Sequence, residues 1–167
     1  MGRKMTEEDM EVDGQANGDQ ENEKSEKSKY EDKVKFVSAI AQPLASKKFN
    51  KKLLKLLRSV KSQNDKTLLI LGLKDAQRWI RKNELKKGET VLVIFAGDVT
   101  PVDVMCHMPA VCEEKNIPYV YIASRQDLAH AVGFQNSCLM ALVREHSKYK
   151  ELYDECYQEA KKLGHVM

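Results

Sequence analysis

Seven consecutive residues, Thr90 to Ala96 (TVLVIFA), constrain the fold more than any other part of the chain. A strand without polar alternation has no face to offer to water, so it must be covered on both sides. Three shorter runs of strand character, Thr67 to Leu71, Tyr119 to Ile122 and Cys138 to Val143, recur along the sequence. Helical spacing fills the intervals. Leu53, Leu54, Leu56, Leu57 and Val60 line one face of a segment running from about Lys47 to Lys61, and Leu73, Ala76, Trp79 and Ile80 do so from Lys74 to Lys82.

Three more helices are expected at capping residues. Thr100-Pro101-Val102-Asp103 supplies an N-cap, a proline at the first helical position and an acid three residues after the cap, opening a helix to about Lys115. Ser124-Arg125-Gln126-Asp127 opens a shorter one, closed by Gly133. Ser147 can cap a last helix from about Tyr149 to Leu163, with Leu152, Cys156, Ala160 and Leu163 facing inward. Pro43, in Ala41-Gln42-Pro43-Leu44-Ala45, enforces an extended lead-in to the first helix. Strictly alternating helices and strands predict fold class α/β, a three-layer α/β/α sandwich with a central four-stranded mixed sheet. Periodicity does not encode the strand order.

Charge divides the chain. Residues 1–29 hold nine acids and five bases and almost no large apolar side chains, so they are expected to form a disordered acidic tail ahead of a single α/β domain over 30–167. Of the 28 basic and 25 acidic residues, the remainder keeps 23 and 16, a net charge of +7. A basic domain favours a polyanionic partner, because Lys and Arg gain affinity by displacing counterions from phosphates. Between Lys33 and Asn64 there is no acid at all, and Lys47, Lys48, Lys51, Lys52, Lys55 and Arg58 form a basic patch on the outer face of the first helix. With no long apolar run and no apolar leader, an intracellular, soluble protein is expected.

The commonest catalytic and cofactor signatures are missing. There is no phosphate-cradling Gly-rich loop, neither Gly-x-x-x-x-Gly-Lys nor Gly-x-Gly-x-x-Gly, and no Gly-x-Ser-x-Gly elbow. Cys106, Cys112, Cys138 and Cys156 lack paired spacing and read as reduced core filler rather than a disulfide or metal set; Cys106-His107 with Cys112 does not make a ligand pair. Asp98, in Ala96-Gly97-Asp98 after a strand, reads as an aspartate that stabilises a turn, with a functional role as the alternative. No enzyme, cofactor or metal is expected.

The stretch Gly72-Leu73-Lys74-Asp75-Ala76-Gln77-Arg78 carries the strongest binding signal. If Gly72 opens a helix, Lys74, Arg78 and Arg81 share its outer face beside N-terminal amides that favour phosphate; a solvated helix face is the alternative.

With Ala96-Gly97-Asp98-Val99-Thr100-Pro101, Cys106-His107-Met108-Pro109, the run from Cys112 to Tyr121 and Ser124-Arg125-Gln126-Asp127-Leu128, this stretch resembles the kink-turn-binding ribosomal-protein family over roughly residues 67 to 143. Ala41 to Ser46 and Tyr153-Asp154-Glu155-Cys156 extend the likeness to 30 to 163 and point to the branch found in H/ACA ribonucleoproteins. The resemblance implies a non-catalytic subunit that positions RNA while another protein does the chemistry, guiding pseudouridylation of ribosomal and spliceosomal RNA, with telomerase RNA linked to the same particles. Its implied partners are an H/ACA guide RNA, a dyskerin-type pseudouridine synthase and a small Nop-ten-type protein, in the nucleus and nucleolus.

Carried over by position, Gly72 would let the backbone approach RNA, Lys74 and Asp75 would face its bend, and Arg78 would pair with phosphate. Ile122, Ala123, Ser124 and Arg125 would form a second RNA-facing loop. Leu71 stands where the family usually has Lys or Arg, Lys74 replaces asparagine and Asp75 shortens glutamate, so binding less selective for RNA structure is expected. The segment Arg81 to Glu89 looks longer than the family norm. A protein-binding regulator of the same fold, without RNA, is the alternative of a different class.

Overall fold

The computed structural model describes residues 29–82 and 89–164; the acidic tail and most of the Arg81 to Glu89 segment lie outside the described residues. Among the described residues, a helical stretch over 29–34 precedes five helices and four strands in alternation: α1 (Lys47–Ser62), β1 (Leu69–Leu71), α2 (Leu73–Lys82), β2 (Val91–Ala96), α3 (Met108–Glu114), β3 (Tyr119–Ile122), α4 (Arg125–Val132), β4 (Met140–Arg144) and α5 (Lys150–Gly164). The sheet runs β1-β4-β2-β3. Strand β4 is antiparallel to both β1 and β2, while β2 and β3 are parallel, so the sheet is mixed as expected.

Helices cover both faces of it. Val91, Val93, Phe95, Tyr119 and Tyr121 share one face by register and the two-residue period of a strand. On that side Arg144 stacks over Trp79 of α2 with 5.9 Å to the ring centroid, and the Tyr119 hydroxyl donates to Glu113 Oε1 of α3 at 2.7 Å. Leu92, Ile94, Val120 and Ile122 point the other way, under the layer of α1, α4 and α5, which contributes Phe49, Leu53, Leu56, Leu57, Leu128, Val132, Tyr153 and Cys156 to the same continuous core. All six residues of β2 are buried, which is why the seven-residue run shows no alternation.

The lead-in around Pro43 does more than enter α1. Leu44 bridges Tyr121 in parallel register, with the Tyr121 amide donating to Pro43 O at 2.9 Å and the Ala45 amide to Tyr121 O at 2.8 Å. Upstream, the Ser38 amide donates to Gly97 O at 2.8 Å, and the Tyr30 hydroxyl donates to Ala45 O. Residues 30–45 therefore form a strap over the β3 edge and the end of β2.

Four local expectations need correction. No continuous helix runs from Thr100 to Lys115: Pro101 is extended (φ −74°, ψ 151°), a single 3-10 turn spans Val102–Val104, and α3 begins only at Met108. Pro109 explains the break, since it has no N–H to return to Met105 and its ring would clash with that turn. Ser147 does not cap the last helix; Ser147–Tyr149 is a 3-10 turn whose Lys148 amide donates to the ring of His146, and α5 follows. Leu163 is exposed, and the buried face of α5 is Tyr153, Cys156 and Ala160, which leaves its final turn beyond the core. All four cysteines are free, but Cys106 is exposed in the segment between the 3-10 turn and α3 rather than filling the core.

Candidate nucleic-acid interface

Topology brings distant candidates to one end of the sheet. The ends of β1, β2 and β3 and the start of β4 all lie there, because β4 alone runs against the other three. Gly72 closes β1: its amide donates to Met140 O at 3.2 Å, and its carbonyl accepts from Ala76 in the first turn of α2. Its φ of +88° favours glycine, and a Cβ there would meet nothing within 4 Å. Lys74, Asp75 and Arg78 follow on the exposed side of α2, and Arg78 Nη1 reaches Asp75 Oδ1 at 3.8 Å. Helix α2 thus projects two cations from the sheet end, one of them shared with its own carboxylate.

The second predicted loop divides. Ile122, Ala123 and Ser124 are 0, 1 and 6% exposed, so their side chains pack into the core and against the helix start. Ser124 Oγ accepts from the amides of Gln126 (3.3 Å) and Asp127 (3.5 Å), as its capping pattern requires. Arg125 alone of the four reaches the surface. Its amide donates to Asp98 Oδ1 at 2.7 Å and its carbonyl accepts from the Cys138 amide at 3.4 Å. Asp98 therefore ties the end of β2 to the start of α4, a link between distant segments in place of the local turn read from the sequence.

Beside Arg125 opens a polar cavity of about 400 Å³ lined by Gln126, His130, Gln135, Asn136 and Ser137. Sequence reasoning missed these residues, although a signal existed: Gly133 ends α4 in the left-handed conformation (φ 78°), and after Phe134 comes the polar run Gln135-Asn136-Ser137. Carboxamides beside an arginine can hydrogen-bond the edges of unpaired bases while the guanidinium meets phosphate. Phe134, at the rim of the same loop, is exposed.

The basic patch lies along the outer face of α1, in the same layer as α4 and opposite α2. Lys48, Lys51, Lys55 and Arg58 are exposed and Lys47 is half-buried. Lys52 is committed within the fold, with Nζ at 3.5 Å from both Glu155 and Glu159 of α5; Glu159 foremost holds its pKa above the usual lysine value. Across the described residues no three His, Cys, Asp or Glu side chains are grouped as metal ligands. His107 instead faces Gln77, with 3.2 Å between the Nε2 atoms. Burial pushes the Cys112 and Cys156 thiols up to about 12, so neither carries the thiolate that nucleophilic chemistry needs.

Comparison with known proteins finds relatives of this chain and of its fold. Residues 51–153 match the Ribosomal protein L7Ae/L30e/S12e/Gadd45 family. A Drosophila melanogaster protein, "H/ACA ribonucleoprotein complex subunit 2", is 52% identical over 139 residues, covering 83% of this chain and 82% of its own. The Bos taurus protein of the same description is 37% identical over 80% of this chain and 82% of its own. Among solved structures, the "Giardia lamblia 15.5kD RNA binding protein" superposes with a TM-score of 0.66 at 25% identity, covering 76% of this chain and 99% of that one.

Proposed function

This chain belongs to the Ribosomal protein L7Ae/L30e/S12e/Gadd45 family, and from that membership we propose that it is the non-catalytic RNA-binding subunit of an H/ACA small nucleolar ribonucleoprotein. What supports the reading is that Lys74, Arg78 and Arg125 all follow strand ends at one end of the sheet, Arg125 beside a cavity lined by carboxamides. Cations there would hold phosphate and the carboxamides would meet unpaired bases, a division of labour suited to RNA outside regular duplex. The likeness to H/ACA subunit 2 proteins over four fifths of the chain supports assigning it to that particle.

In this reading the RNA partner is an H/ACA guide RNA, and the protein partners are a dyskerin-type pseudouridine synthase and a small Nop-ten-type protein. The synthase performs the uridine chemistry on ribosomal and spliceosomal RNA; this subunit shapes the guide. The particle works in the nucleus and concentrates in the nucleolus. Exposed Phe36, Ile40 and Val104 favour a protein contact beside the RNA contact. Lys74 and Asp75 in place of an amide and a longer acid favour binding through charge over strict reading of a kink-turn.

Purification of the tagged full chain from cells, with sequencing of the bound RNA, tests this assignment. Enrichment of H/ACA guide RNAs together with a pseudouridine synthase is the expected result. Recovery of proteins alone, unchanged by nuclease, would replace it with a protein-binding regulator of the same fold.

A further inference from the structure

We propose that Asp98, which contacts no ligand in this reading, is a positioning residue that fixes Arg125 for RNA; the inference rests on the RNA-binding reading above. Three separated segments meet at the Arg125 main chain. Its N–H is held by Asp98 Oδ1 from the end of β2 at 2.7 Å, and its carbonyl by the Cys138 amide from the approach to β4 at 3.4 Å. With Ser124 Oγ taking the next two amides, each of the first three N–H groups of α4 has an acceptor from this chain. A helix N-terminus is ordinarily open to phosphate. Here a carboxylate already occupies that place, so RNA can be engaged at α4 only through side chains, with Arg125 foremost.

Asp98 is itself held firmly enough to act this way. The adjacent Gly97 is pinned on both sides, its amide donating to Ile122 O at 2.8 Å and its carbonyl accepting from the Ser38 amide at 2.8 Å. Val37 packs so closely over it that a Cβ at position 97 would lie 2.9 Å from Val37 Cγ1. A carboxylate on a fixed backbone, accepting from the first amide of a helix, sets where that helix starts and which way residue 125 leaves it.

The test is a double-mutant cycle in the full chain, with guide-RNA affinity and exchange of the Arg125 amide as readouts. Asp98→Ala is expected to weaken binding about threefold to tenfold in the wild-type background, the scale of one hydrogen bond. In the Arg125→Ala background the same change should cost less than about twofold, because coupled residues do not add. Asp98→Asn, which keeps the acceptor oxygen, should stay within about twofold of wild type. Exchange of the Arg125 amide should accelerate in Asp98→Ala and not in Asp98→Asn.

Equal losses from Asp98→Ala in both backgrounds, or an unchanged Arg125 amide, would overturn the proposal. So would RNA binding that ignores Arg125→Ala, which would leave the RNA-binding reading standing. A wild-type chain without RNA affinity would remove both.

Discussion

Lys33 Nζ lies 2.8 and 2.7 Å from the two carboxylate oxygens of Asp127, 94 residues further along the chain. The pair fastens the strap of residues 30–45 to the first turn of α4, where a carboxylate is already favoured by the helix dipole. With side chains 43% and 26% exposed, it is partly screened by solvent. Lys33→Ala is therefore expected to destabilise by only about 0.5–1 kcal/mol. Urea denaturation of the variant checks this; a loss above about 3 kcal/mol would mean the strap folds as one unit with α4.

Gly72 and Gly97 are predicted to fail differently on replacement by alanine. At Gly72 there is room for a Cβ but φ is +88°, so Gly72→Ala should cost about 1 kcal/mol through backbone strain alone. At Gly97 the added Cβ would lie 2.9 Å from Val37 Cγ1 and 3.1 Å from Ile122 O, the second a main-chain atom that cannot turn aside. Gly97→Ala should therefore displace the strap. Backbone amide shifts would then change at Val37 and Ser38 in Gly97→Ala and stay put in Gly72→Ala.

Alkaline pH should unfold this protein early. Burial pushes the Tyr121 and Tyr149 hydroxyls up to about 12, and it raises Tyr30, Tyr119 and Tyr153 as well. An acid whose folded pKa exceeds its unfolded value holds extra protons when folded, so its stabilisation is complete below the unfolded value and drains as pH rises. For these tyrosines the decline starts near pH 10, their ordinary value, and for Cys112 and Cys156 near pH 9. Denaturation midpoints measured between pH 8 and 11.5 should be flat at first and then fall; a midpoint still flat at pH 11.5 would contradict the burial described.

Adjacent residues of α1 separate packing from charge. Leu57 is fully buried, so Leu57→Ala should cost about 2–5 kcal/mol. Arg58 is exposed, and Arg58→Ala should change stability by less than about 0.5 kcal/mol. Comparable losses from both, read by thermal denaturation, would mean that α1 packs in another rotation.

The order of elements was legible because each signal was local. The run from Thr90 to Ala96 lacks alternation because both its faces are covered, and the Ser124 cap and Gly133 stop are written within a single turn of helix. What escaped depends on contacts between distant segments. Nothing near Pro43 announces that it will pair with Tyr121, and nothing near Asp98 names Arg125 as its donor. The helix expected from Thr100 failed at its start, where Pro101 is extended and no side chain caps the following turn, and was interrupted again ahead of Pro109. In the candidate site, the cations of α2 and Arg125 could be named from sequence, but the burial of Ile122, Ala123 and Ser124 could not, since a loop beside a strand end looks the same whether it faces solvent or the core.

If the proposed function holds, Lys74, Arg78 and Arg125 grip RNA together at one end of the sheet. Binding of an H/ACA guide hairpin across a salt series, for the full chain and for Lys74→Ala/Arg78→Ala/Arg125→Ala, tests it most directly. The variant should bind more weakly, with a salt slope shallower by about 0.7 to 0.9 for each phosphate contact removed. An unchanged slope and affinity would place the RNA elsewhere on the protein, and a wild-type chain that ignores the hairpin even at low salt would leave a protein-binding regulator of the same fold in its place.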